Sequence, residues 1–555
     1  MIKAKPELVF VPLGGAGEIG MNLNLYGLGP ADDRRWLMVD CGITFGDEGT
    51  PGIDVILPDP KFIEEQADRL EGILLTHGHE DHLGAVPYLG ERLQCPVYAT
   101  PFTLALLRRK LEMDGLTGKL DLREIPLGDK FYIGPFSLEM IKLTHSMPEP
   151  NAVVLRTELG TVLHSGDWKL DPDPVIEEAA DEEALRRLGE EGVMTAVVDS
   201  TNIFKPDSSG SEADLLESLT EIIGTCSERV AVACFASNVA RLHTIFEAAS
   251  ANGRAVALVG RSLWRINGAA RETGYLDHLP PFLEAEDTED MPKDRILYIC
   301  TGSQGEPRAA LTRIANDSFR SVTLEAGDAV IYSSRVIPGN EMSISRIQNR
   351  LAKKGVRVIT SADHFTHVSG HPAEGEVRRF YDMVQPGTAI PVHGETRHMA
   401  RHAEVASDCG VQDVVTVKNG DMVRLAPGPA QCVGEVPVGR LYVDGKNLRP
   451  MNGKVRKQRS KVLYNGAAML SLVLDDEGDL LADPQFSSHG LLEGDEENYT
   501  EIEISEAVRL AIEDMPVKRL SNDEAVREAT RKAVRRCFED AHGKRPVISV
   551  HLVRV

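Results

Sequence analysis

The chain has 555 residues, 42% of them apolar and 26% charged, and a formal net charge of −24. That length exceeds one hydrophobic core and sets about two to four domains of ordinary globular composition. Taken alone, the acidic balance argues against nucleic acid as a partner, although bound divalent ions or a basic groove can be locally positive on an acidic body. The lack of any apolar run of about eighteen residues excludes a membrane-spanning helix.

The N-terminal stretch lacks the long apolar segment of a secretory signal. The eight cysteines are scattered with no C-x-x-C pair, which fits reduced thiols in a cytoplasmic protein. Residues 8–13 read as a strand, followed by GGAGEIGMN. Gly15, Gly17 and Gly20 match the dinucleotide fingerprint, but that fingerprint requires a helix next. The following NLNLYGLG alternates like a strand, so the glycines are expected to form a tight hairpin beside a pocket. Residues 36–39 form another apolar strand and end on Asp40, placed to orient a ligand histidine from behind.

The stretch GILLTHGHEDHL then runs from a buried strand into His77, His79, Glu80, Asp81 and His82. Side chains two apart on an extended strand share a face, so His77 and His79 aim at one point while Asp81 and His82 follow the turn toward a second. Imidazole with carboxylate suits zinc or another borderline divalent metal, and H-x-H-x-D-H suggests two ions. Helices are expected at 83–93 and 102–113. Strands then deliver His145, Asp167 and Asp199 at their carboxyl ends, a recurrence that one convergent site explains.

From residue 211 the texture becomes regular β/α alternation, with strands at 230–235, 255–259, 296–300, 329–332 and 356–360 and helices at 211–225, 238–251 and 341–354. This is the pattern of a parallel sheet covered on both faces. Its strands end in small polar loops, ASN at 236–238, GRS at 260–262, TGSQGEP at 301–307 and SSRVIPGNE at 333–341, where ligands bind in such sheets. With Arg261, Arg308 and Arg335 nearby, these loops could cradle phosphates through backbone N–H groups. A second polar cluster, DHFTHVSGH, spans 363–371, and a strand at 389–392 ends in His393. Residues 446–461 carry seven basic residues with little periodicity; they read as a linker or a basic arm touching nucleic acid. The remainder reads as a small α/β unit.

Taken in order, GGAGEIGMN, THGHEDHLGA, HSMPE, SGDWKLD, DSTN, CFASNVAR, HVSGH and PVHGE resemble the ribonuclease J group of β-CASP nucleases in the metallo-β-lactamase superfamily. The departures are small: Glu149 where Asp is common, Trp168 for a usual Phe, and His164-Ser165 before Gly166. The resemblance implies an α/β chain. Its plan is a metallo-β-lactamase αββα sandwich with an inserted parallel-sheet β-CASP domain and a small C-terminal α/β domain. The expected boundaries are 1–210 and 363–445 for the sandwich, 211–362 for the insert, 446–461 for the basic linker and 462–555 for the tail.

The resemblance also implies the site. His77, His79 and His145 would hold one ion, Asp81, His82 and His393 the other, and Asp167 would bridge them. Asp81, His371, Asp199 and Asp40 are the residues expected to act in catalysis, with His371 donating a proton to the leaving 3′-oxygen. Ser237, Asn238, His367, Ser369 and Gly370 match a pocket for a 5′-monophosphate. The implied cofactors are two divalent ions per subunit, zinc first and manganese or magnesium next. The implied activity is metal-dependent, 5′-to-3′ exonucleolytic on 5′-monophosphorylated single-stranded RNA, with endonucleolytic cleavage as well, in RNA maturation and decay. A homodimer or homotetramer in the cytoplasm, a possible RNA-decay complex and no membrane complete the expectation. The alternatives are a DNA-directed β-CASP nuclease, a small-molecule metallo-hydrolase, which would need neither the insert nor HVSGH, and an inactive scaffold, against which all seven filled ligand positions argue.

Overall fold

A computed structural model describes residues 5–47, 49–337, 339–494 and 496–555 of the chain. It divides into two compact units, Met1–Leu448 and Arg449–Val555.

The first unit is built on two facing sheets. One has eight strands, antiparallel at one side and parallel from Arg35–Val39 through Leu70–Leu74 to Val97–Ala99 and Leu122–Glu124. The other has seven; its parallel part runs from Gly160–His164 through Thr195–Asp199 to Thr388–Val392. Strand Glu7–Gly14 shows why its sequence is apolar without alternation. Leu8 and Phe10 join the core between the sheets, while Val9, Val11 and Leu13 join the outer core under helices Val86–Leu93 and Pro101–Met113. Successive side chains point to opposite faces, and here both faces are covered. Helices Glu182–Glu191 and Glu374–Val384 cover the outside of the seven-stranded sheet, which completes helix–sheet–sheet–helix layering.

Between Asp199 and His393 the chain forms a third sheet of five parallel strands. Its order is Ala255–Val259, Ile296–Cys300, Val230–Ala233, Ala329–Tyr332 and Arg357–Ile359. The first strand in sequence lies in the middle, so the connections diverge at its two sides and leave a crevice at the carboxyl ends.

Three local expectations change. The helix expected over 83–93 is two pieces, a turn at Glu80–Leu83 and helix Val86–Leu93. Gly260, expected in a loop, instead leads directly into helix Arg261–Glu272 with φ of 141°, a backbone only glycine adopts readily. The basic stretch expected as an aperiodic linker contains helix Lys454–Asn465, none of whose residues is buried. Lys, Arg and Gln are good helix formers. A helix with no buried face shows no apolar stripe, so the period was invisible. The glycine-rich turn behaves as expected: it leads into strand Leu23–Gly29, and Gly15 O accepts from His393 N at 2.7 Å.

In the second unit, strand Ala467–Leu474 lies between Gln485–His489 and Val547–Arg554. Leu470 and Leu472 pack there against Ile504, Val508, Val534 and Phe538. Among the described residues no helix is long and apolar enough to cross a membrane.

Candidate metal centre

The histidines and acids singled out in the sequence meet where the carboxyl ends of the two large sheets converge. Asp40 follows strand Arg35–Val39 with φ of 66°. Its carboxylate accepts from Thr76 N at 2.8 Å and from His82 Nδ1 at 2.7 Å, while the Thr76 hydroxyl lies 3.0 Å from His77 Nδ1. Asp40 thus fixes the ring of His82 directly and that of His77 through Thr76, leaving the opposite nitrogens for the site. Gly42 lets the metal loop approach, since a Cβ there would stand 1.7 Å from Asp81 O. From the other sheet, the Gly370 carbonyl accepts from His145 Nδ1 at 2.5 Å. The Thr201 hydroxyl lies 2.5 Å from His393 Nδ1.

Two ligand sets share Asp167. His77, His79, His145 and Asp167 offer atoms within 4.8 Å of one another, and so do Asp81, His82, Asp167 and His393. In the first, His79 Nδ1 lies 2.9 Å from His77 Nε2 and 3.1 Å from His145 Nε2, and both Nε2 atoms lie 3.8 Å from Asp167 Oδ2. In the second, His82 Nε2 is 3.2 Å from Asp167 Oδ2, and His393 Nε2 is 3.1 Å from Asp81 Oδ2. Tetrahedral ligands at about 2.0–2.1 Å from zinc stand roughly 3.3 Å apart, so these spacings fit divalent ions. A third group, Asp167, Asp199, His371 and His393, adjoins them.

The electrostatics separate the histidines into two kinds. Burial pushes His77, His79 and His145 below the ordinary imidazole range, His79 to about 4, so they are neutral and have lone pairs to offer. Burial also opposes charge on His82 and His393. There Asp167 and the other carboxylates outweigh it and hold both well above that range. Burial would raise Asp81 and Asp199 as well, but the neighbouring histidines, His82 for Asp81 and His371 for Asp199, hold both acids low. Protons on His82 and His393 thus occupy the place of metal charge, and ion binding must displace them.

His371 donates from Nδ1 to Asp199 Oδ2 at 2.8 Å. Its side chain is 22% exposed and that of Asp81 30%, against 3% or less for His77, His82, His145, Asp167 and His393. His79 is also only partly buried, so the open face of the cluster is the one bearing His79, Asp81 and His371.

Beside that face lies a cavity of about 270 Å³ lined by Phe204, Lys205, Arg335, His367 and Ser369. Ser369 Oγ accepts from His371 N at 3.1 Å. Burial and then the charges of Arg241 and Arg335 keep His367 neutral, and Arg241 Nη1 points toward its Nδ1 at 3.4 Å. Of the expected pocket residues, His367 and Ser369 line the cavity and Gly370 orients His145. Asn238 caps helix Val239–Ala251 by accepting from Arg241 N at 2.8 Å, and neither it nor Ser237 is among the lining residues. Sequence reasoning missed Thr201, Asn202 and Lys205; of the three arginines it placed near phosphate-cradling loops, Arg335 lines the cavity and Arg261 and Arg308 do not. DSTN was noted for its acid alone, yet Asn202 Nδ2 donates to His371 O at 3.3 Å and Arg335 Nη1 donates to Asn202 Oδ1 at 2.6 Å.

A sandwich whose strand ends converge on paired His/Asp ligand sets, with a parallel sheet inserted before the last ligand, is the plan of a metallo-β-lactamase hydrolase with a β-CASP insert. Family models agree along the chain: a beta-lactamase superfamily domain over 35–188 and the beta-CASP domain of ribonuclease J over 227–351. They continue with a Zn-dependent metallo-hydrolase RNA specificity domain over 355–417 and the ribonuclease J C-terminal domain over 455–555. Ribonuclease J of Sinorhizobium meliloti is 44% identical over 550 residues, 99% of this chain and 98% of that protein. Ribonuclease J of Corynebacterium glutamicum is 37% identical over 97% of this chain and 74% of its own length. A solved structure of a protein of unknown function from Enterococcus faecalis shares the fold at TM-score 0.53 and 17% identity, over 76% of this chain and all of that one. The chain belongs to the ribonuclease J family and has that family's nuclease function. The family implies divalent metal ions, and the ligand sets above fit them.

Proposed function

We propose that the chain hydrolyses 5′-monophosphorylated single-stranded RNA from its 5′ end, cuts internally with the same site, and works with zinc. The observation that carries this reading is the cation-bearing cavity of Lys205 and Arg335 beside the open face of the His/Asp cluster. Five imidazoles among the seven candidate ligands favour zinc over magnesium; His77, His79 and His145 would hold one ion and Asp81, His82 and His393 the other, with Asp167 available to both. Two such ions supply activation of water and neutralisation of charge growing on the phosphoryl oxygens.

The chain's own residues supply the rest. Arg335 and Lys205 attract the terminal phosphate, and neutral His367 and Ser369 offer hydrogen bonds to it. With the terminal phosphate in the cavity, the next phosphodiester reaches Asp81 and His371, which sets single-nucleotide register. Burial opposes a charged His371, but Asp199 and Asp167 hold its pKa above the ordinary range. Nδ1 is committed to Asp199, so Nε2 carries the proton for the leaving 3′-oxygen. The products are a 5′-phosphate and a 3′-hydroxyl. By resemblance the active form is a homodimer or homotetramer, which light scattering tests.

The test incubates purified protein with 5′-monophosphorylated, 5′-triphosphorylated and 5′-hydroxyl RNA, and with DNA of the same sequence, with and without chelator. Metal-dependent release of mononucleotides, fastest from the monophosphate, is expected. Equal rates on all 5′ ends would remove the pocket's role, and preference for DNA would replace the substrate class. Full activity of His79→Ala would refute the metal assignment.

A further inference from the structure

Phe204 stands five residues after Asp199 and is 53% exposed. A half-exposed phenylalanine forgoes part of the benefit of burial, but single exposed apolar residues are common enough to need no role. What separates Phe204 from the others is its place. It lines the cation-bearing cavity together with Lys205, Arg335, His367 and Ser369, and Asn202, two residues before it, joins Arg335 to the backbone of His371. The ring is also held. The His398 ring meets it at 63° with centroids 5.0 Å apart, and the Arg397 guanidinium lies 5.5 Å over it. A ring fixed edge-on by a histidine and capped by a guanidinium, yet half open to solvent, is pre-set for another flat partner.

The cavity's size says what that partner is. At about 270 Å³ it falls below the roughly 300–1,000 Å³ of sites that enclose a whole drug-sized ligand. A phosphate and sugar occupying that space would bring the attached base to the rim, where Phe204 is half exposed. We propose that Phe204 is a stacking platform for the base of the 5′-terminal nucleotide, the one whose phosphate Lys205 and Arg335 receive. This rests on the 5′-monophosphate reading above and adds the group that holds the base. Every base has a π face, so the grip tolerates any sequence and favours purines through their larger area.

The test compares 5′-monophosphorylated RNA carrying a normal first base with the same oligonucleotide abasic at its first residue, using wild type, Phe204→Ala, Phe204→Leu and Phe204→Trp. Phe204→Ala and Phe204→Leu are expected to raise KM for the normal substrate by about 5-fold or more, with kcat held. Neither changes KM for the abasic substrate, and Phe204→Trp matches or improves on wild type. Leu keeps the apolar bulk without the π face, so a defect shared by Ala and Leu isolates stacking. An equal rise in KM on both substrates, or none on either, overturns the proposal. The accompanying 5′-hydroxyl oligonucleotide separates the two layers. If wild type discriminates against it and Phe204→Ala is silent, only the stacking role falls. If wild type does not discriminate, the phosphate-pocket reading falls and the stacking role with it.

Discussion

His371 holds its proton because of where its neighbours stand. Asp199 is 2.8 Å from Nδ1 and Asp167 3.8 Å, and together they outweigh the burial that would otherwise make the ring neutral. A proton donor loses activity as pH rises through its pKa, so this raised pKa extends activity toward alkaline pH. Asp199→Asn keeps the shape but removes one charge; the alkaline limb of the pH–rate profile should move to lower pH, with kcat down by about 10²–10⁴. An unmoved limb would show that another group donates. His371 was legible in the sequence only as the last residue of HVSGH. The cluster of His77, His79, Asp81 and His82 was legible because its spacing is itself a metal-binding pattern. Arg335 was legible only as an arginine beside a polar strand-end loop; its bond to Asn202 was not, because 133 residues separate the two in the chain.

At the level of elements, the segment carrying His145 is tied to the inserted domain through Glu149. That residue was noticeable in the sequence as a longer acid where Asp is common, and the structure gives the extra carbon a use. Glu149 Oε2 accepts from Phe102 N at 2.9 Å and Oε1 from the Tyr275 hydroxyl at 3.0 Å. Tyr275 follows helix Arg261–Glu272 of the inserted domain. Glu177 joins the cluster by accepting from Glu149 N at 2.9 Å. Burial raises the Glu177 carboxyl to about 7 despite that bond. A carboxyl raised in the folded state stabilises it below the unfolded pKa of about 4.3, and that stability is lost as pH climbs toward 7. Glu177→Gln, a permanent mimic of the protonated form, should therefore raise the melting temperature relative to wild type at pH 8 and leave it little changed at pH 5. An increase of equal size at both pH values would refute the assignment. Tyr275→Phe should cost about 1–3 kcal/mol in urea unfolding, because the buried Glu149 carboxylate loses its donor at 3.0 Å. Glu177 itself carried no signal in the sequence: it sits in an irregular stretch where neither period nor motif marks it.

Across the whole molecule, the charge of −24 and an RNA substrate are reconciled by local placement. Lys205 and Arg335 face the cavity; burial lowers the Lys205 pKa, and the charges of Arg335 and then of Lys169, which is buried against Asp171 at 2.7 Å, lower it further. Composition showed the acidic body but not this concentration of cations, because the three come from separate segments that only the fold brings together. With the cavity as the main cationic focus, few phosphates are held and binding should weaken only gently with salt. Each neutralised phosphate of a single strand contributes about −0.7 to the slope of log K against log salt concentration. Two pocket cations then predict a slope on the order of −1.5, far from that of a protein with an extended basic surface. Arg335→Gln should flatten it by about 0.7. The measurement is fluorescence anisotropy of 5′-monophosphorylated RNA on chelator-treated protein, which binds without cutting, across a salt series. A steep slope that Arg335→Gln leaves intact would place the main phosphate contacts elsewhere, with exposed helix Lys454–Asn465 the first surface to test by charge removal.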